Sequence, residues 1–149
     1  MDLFKNEQLW LYLPLLVWIG GIFYFSAGRG SFSRTLPYFV PLLKILFPRA
    51  DEAALEYHFL KVRKIFHFVG YAVLALLASV AFSNSSLELP ARFWHLFSFA
   101  VVLVVASIDE FRQSFNPSRV GSFSDVVLDC IGGLAAILSF WTAKSVFSD

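Results

Sequence analysis

The sequence predicts an all-α polytopic membrane protein, a four-transmembrane-helix bundle with a short interfacial helix between spans 1 and 2. Three observations lead there. The chain is 58% hydrophobic, against roughly 45–50% apolar residues in a soluble domain. Its apolar residues gather into four runs, each close to the ~20 residues that an α-helix needs to cross the hydrocarbon layer. Its charged residues collect mainly at the ends of those runs. A chain of 149 residues holds four such spans with short connections and leaves no room for a second soluble domain, so residues 1–149 form one domain. The formal net charge of +1 argues against nucleic acid as a partner. Cys130 is the only cysteine, which excludes an internal disulfide.

Span 1 covers about residues 8–27. Trp10 and Tyr12 sit near one end and Tyr24 near the other, where interfacial anchors belong. Met1 and Lys5 make only a weakly basic start for a signal peptide, and the run is long enough to span, so it reads as a membrane helix. Pro14 and the pair Gly20-Gly21 interrupt it, and the glycines are expected to permit close approach of a neighbouring helix. Ser26 closes the span with a hydroxyl whose simplest partner is its own helix backbone.

Residues 28–34 turn the chain. Pro37, Pro41 and Pro48 bracket LLKILF, too short to span and suited, with Lys44 and Arg49 beside it, to lying at the headgroup level. Asp51 is placed to cap a helix from Glu52, which begins polar and runs without a breaker into span 2, about residues 62–82. Residues 83–90, SNSSLELP, read as a turn. Span 3 covers about residues 92–111, with Arg92, Trp94 and His95 at its first interface and Asp109-Glu110 at its far end. A polar loop containing Pro117 and Gly121 leads to Ser124, the expected cap of span 4. That span covers about residues 124–143, and its Gly132-Gly133 pair lets another helix come near.

An ionisable group inside a span is costly and marks a functional site by default. Arg63, His67 and Tyr71 recur at four-residue steps and so share one face of span 2, with Lys64 one turn before His67. Alone, His67 would read as a buried ring bonded to a backbone carbonyl and Tyr71; its cationic neighbours at the start of a span favour a site. Asp109, Glu110 and Gln113 close span 3, while Asp125 and Asp129 open span 4. In a four-span topology these residues, Ser26 and Arg119 converge on one membrane face, with Tyr71 and Asp129 slightly deeper.

Arg63, Lys64 and Arg119 suit phosphate oxygens, and the acids and Gln113 suit hydroxyls or amines. The candidate catalytic set is His67 as general base with Glu110 and Asp125. The candidate substrate-binding set is Ser26, Arg63, Lys64, Tyr71, Asp109, Gln113, Arg119 and Asp129. Asp109 and Glu110 are adjacent and cannot point the same way on one helix; Glu110 is the one expected in the cluster. No HxxxH or HExxH pair is present, so no cofactor is expected. A metal version of the site would use His67 with Asp109, Glu110 or Asp125 around a hard divalent ion.

In these residues the chain resembles the VanZ-like family, named for an accessory protein of teicoplanin resistance. The resemblance covers nearly the whole length. It rests on Ser26, on Arg63-Lys64-x-x-His67-Phe68-x-x-Tyr71-x-x-Leu74, and on Asp109-Glu110-x-x-Gln113-x-x-x-Pro117-x-Arg119 followed by Asp125 and Gly132-Gly133. The family usually has Asn at the place of Asp129 and a further Gly at that of Ala136. The resemblance implies a small four-span protein of the cell membrane with a link to the envelope, and it supplies no established reaction.

Two functions of different class follow. One is a polar intramembrane site that binds or modifies a membrane lipid headgroup or a lipid-linked envelope precursor. The other is a structural subunit with a membrane-protein partner, whose charges pair only to fix helix register. A transporter is disfavoured, because the chain lacks the usual two-half construction. The Lys and Arg count makes the face carrying loops 28–61 and 112–124 cytoplasmic, whereas the resistance link points that face outward.

Overall fold

The structure, a computed structural model, describes residues 6–26, 32–115 and 122–147. Its helices in chain order are α1 (Asn6–Ser26), α2 (Phe32–Leu46), α3 (Glu52–Ser83), α4 (Glu88–Arg92), α5 (Trp94–Ser114) and α6 (Phe123–Phe147). Helices α1, α3, α5 and α6 are long and apolar enough to cross a membrane. The protein is therefore a four-span bundle, with the shorter α2 between the first two spans.

Helix α3 is the central element, packed against α1, α2, α5 and α6, most extensively against α6. Asp51 starts it, since its Oδ1 accepts the Ala54 N–H at 2.8 Å. Its 32 residues make it about 48 Å long, well beyond the ~30 Å hydrocarbon layer. The surplus is the polar first part, so Arg63 falls near one edge of that layer.

Helix α2 differs from expectation. Pro37 and Pro41 lie inside it rather than at its ends. Both are exposed, while Leu36, Phe39, Val40 and Leu43 pack toward Leu55 and Phe59 of α3. Prolines four apart share a helical face, so the hydrogen bonds they remove lie together, away from α3, and the packed face stays regular.

The core between the spans is built from small side chains. Ala75, Ala78, Ala81 and Ala106 are fully buried, as suits a membrane bundle, where helices associate by close packing and not by escape from water. Gly132 and Gly133 take this furthest. A Cβ at Gly132 would lie 2.5 Å from the Phe68 carbonyl oxygen of α3, and one at Gly133 would lie 2.8 Å from Val102 Cγ1 of α5. The expected close approach at Gly20-Gly21 does not occur, because nothing lies within 4 Å of a Cβ at either position.

Two smaller departures concern helix starts. Helix α6 begins before Ser124: the N–H groups of Asp125 and Val126 donate to the Ser122 carbonyl at 2.9 and 3.4 Å, so Ser122 is at the cap position. The stretch read as a turn runs into α4, where Pro90 falls within the first turn, at which a missing N–H costs little. At this end of the bundle Tyr12 Oη donates to Ser85 Oγ at 2.8 Å, and the Ser86 N–H donates to Gln8 Oε1 at 3.1 Å. These bonds fasten the start of α1 to the turn after α3.

Candidate functional site

At the opposite end of the bundle the polar residues meet, and Gln113 is their hub. Its Nε2 donates to Ser26 Oγ and to Asp109 Oδ2, both at 2.9 Å, and its Oε1 accepts from an Arg63 guanidinium nitrogen at 3.3 Å. The amide orientation follows from the partners, since a guanidinium only donates and a carboxylate only accepts. One side chain thereby joins α1, α3 and α5. Ser26 does not merely bond its own helix; it accepts across the bundle.

Replacing Gln113 by Leu removes all three bonds and leaves a buried carboxylate with no donor. The expected cost is about 2–3 kcal/mol, to be read as a lower unfolding temperature in detergent.

The remaining pairs flank this hub. His67 Nδ1 lies 3.6 Å from Asp129 Oδ2, with Asp129 wholly buried and the His67 side chain 21% exposed. Asp129 thus stands behind the ring, on the neighbouring helix α6. Lys64 Nζ lies 3.4 Å from Asp125 Oδ1, a half-open pair of the kind that adds little stability. Glu110 turns to α6, where its Oε2 accepts the Ser122 N–H at 2.9 Å. A carboxylate at a helix N-terminus meets unpaired N–H groups and the positive end of the helix dipole.

Both members of the Asp109-Glu110 pair are buried, each against a different neighbour: Asp109 faces the hub and Glu110 the start of α6.

A cavity of about 630 Å³ opens beside the hub, between α1, α2 and α3. Its polar residues are Ser26, Arg63, His67, Tyr71 and Asp109. Trp18, Phe25, Phe39, Phe59 and Phe66 form much of the apolar wall. Gly21 and Gly70 also line it, and the space beside them is open.

The candidate residues thus divide by position. Ser26, Arg63, His67, Tyr71 and Asp109 reach the cavity; Gln113 and Asp129 stand directly behind residues that do. Glu110 serves the α6 terminus, and Lys64 and Asp125 pair at the margin. Arg119 lies outside the described residues. Among the described residues, no group of three His, Cys, Asp or Glu side chains is arranged to hold a metal ion.

Sequence reasoning missed the apolar walls, because aromatic residues facing a cavity and aromatic residues facing lipid look alike in a span. One signal was available. Trp18 is mid-span, away from the interfaces, and a tryptophan there needs a partner for its N–H; it donates to the Gly70 carbonyl of α3 at 2.9 Å, next to the cavity.

No curated protein and no solved structure matches the chain. The VanZ/LLP1 family matches residues 9–144, almost the whole four-helix bundle and every residue of the polar hub, so the chain belongs to the VanZ/LLP1 family.

Proposed function

We propose that this protein binds, and acts on, the head of a membrane lipid or of a lipid-linked cell-envelope precursor, at the polar end of the cavity between α1, α2 and α3. The observation that carries this reading is an apolar cavity with a few polar side chains in its lining. Its aromatic walls suit an apolar chain, and its polar residues include a guanidinium, an imidazole and a carboxylate. An amphiphile matches both parts at once, as ligand sites generally combine an apolar lining with a few placed polar groups.

Arg63 is the phosphate-binding group in this reading, because a guanidinium offers a rigid fork of donors to phosphate oxygens. His67 is the candidate base, with Asp129 orienting the ring through Nδ1. The protein resides in the cell membrane, and the consequence for the cell is altered handling of envelope material, including a contribution to teicoplanin resistance.

A second reading has support of its own. The chain Arg63–Gln113–Asp109 and the pair His67–Asp129 satisfy several charges internally, as a purely structural subunit with a membrane-protein partner would need. Lipid retention separates the two. Wild-type protein purified in detergent should carry a reproducible lipid class visible by mass spectrometry, and Arg63→Ala should lose it by about tenfold, equal to ~1.4 kcal/mol of affinity. Equal retention by a variant that remains folded favours the structural subunit.

A further inference from the structure

At the polar end of the cavity several buried oxygens lack hydrogen-bond partners. Asp109 is 1% exposed and gives Oδ2 to Gln113, while its Oδ1 has no hydrogen-bond partner. The Tyr71 hydroxyl, on a side chain 2% exposed and also lining the cavity, has none either. Behind them the Asp129 oxygens make no hydrogen bond within the usual distance, and His67 Nδ1 stands 3.6 Å from Oδ2. Buried oxygens without donors are costly. Asp109 is therefore short of a donor at Oδ1, while Asp129 has the His67 ring beside it.

Arg63 lines the same cavity and is joined to Asp109 through Gln113. The two links of 3.3 and 2.9 Å set an upper bound on its distance. With ordinary amide bond lengths between them, the guanidinium lies no more than about 9 Å from the Asp109 carboxylate. An anion-binding group and a donor-hungry carboxylate are thus held a small linker apart.

We infer that the cavity takes a zwitterionic head, a phosphate ester of a small primary amino alcohol of the ethanolamine class. Its ammonium sits between Asp109 Oδ1 and Tyr71, and its phosphate meets Arg63. This assignment rests on the lipid reading proposed above and narrows it to one chemistry. A trimethylated ammonium carries the charge but no N–H to donate. A glycerol head carries hydroxyl donors but no positive charge. Each meets half of what the buried oxygens require.

The test titrates the full-length protein in detergent with phosphatidylethanolamine, phosphatidylcholine and phosphatidylglycerol of identical acyl chains, with binding followed by native mass spectrometry. The ethanolamine lipid is expected to bind about tenfold tighter than either other lipid. Asp109→Asn and Tyr71→Phe should each narrow that preference to within about threefold, and Arg63→Gln should weaken all three lipids together. Tyr71→Phe removes a hydroxyl without an existing partner, so it keeps the test decisive if Asp109→Asn fails to fold.

Equal affinity of the wild type for the three heads overturns the assignment while leaving a lipid site in place. An undiminished preference in Tyr71→Phe overturns it too. Absence of binding by any of the three lipids overturns the lipid reading itself.

Discussion

Gly132→Ala should lower the stability of the bundle by about 3 kcal/mol, at the upper end of what one added methyl costs in a packed interior. The reason is the identity of the atom it would meet. A Cβ there stands 2.5 Å from the Phe68 carbonyl oxygen, part of the α3 backbone, which cannot swing aside as a flexible side chain would. Helix α6 must then move off α3, the most extensive helix contact in the molecule. In lipid no hydrophobic drive replaces the lost packing. Gly20→Ala is the matched control. Nothing lies within 4 Å of a Cβ at that position, and alanine favours the helix by about 0.8–1.0 kcal/mol. Thermal unfolding of both variants in detergent should show a large fall for the first and no loss for the second.

Gly21→Phe should strongly weaken lipid binding while leaving the fold intact. Gly21 lines the cavity and has open space beside it, so a ring added there enters the space that an apolar chain would use. The polar hub is untouched, since Gln113, Arg63, Asp109 and Ser26 keep their bonds to one another. Expected binding falls by about tenfold or more, equal to ~1.4 kcal/mol, with an unfolding temperature at or above that of the wild type because glycine is a poor helix former. Wild-type lipid binding in a folded Gly21→Phe protein would show that the cavity is not where the lipid sits. The pair Gly21→Phe and Gln113→Leu thus separates two effects, one blocking the cavity without loosening the bundle and the other loosening the bundle at its hub.

The polar hub was legible in the sequence to different depths. Arg63, His67 and Tyr71 share a helical face by their spacing alone, and the structure places all three at the cavity. Gln113 and Asp109 are four residues apart and share a face of one helix, and the structure joins them by a hydrogen bond. Asp109 and Glu110 were harder. Adjacent residues point about 100° apart on a helix, so spacing says that they diverge and not which neighbour each one faces. The positions of α1, α3 and α6 around α5 settle it, giving Asp109 to the cavity and Glu110 to the α6 terminus. The same holds for the two glycine pairs, which look alike in sequence. Gly132-Gly133 presses on α3 and α5, whereas Gly20-Gly21 has open space beside it and Gly21 borders the cavity.

What the sequence determined by itself was the number of spans, a short helical segment after the first, the start of α3 at Asp51, and the convergence of the polar residues at one end. These follow from local quantities: run length against bilayer thickness, helical spacing, and the parity of a four-span topology. The tertiary structure alone decided which acid faces the cavity, that Asp129 stands behind His67, that Gln113 joins three helices, and that α1 lies far enough from α2 and α3 to leave a space of about 630 Å³. Those depend on the rotation and separation of helices distant in sequence, set by where small side chains allow backbones to touch, and no local pattern encodes them.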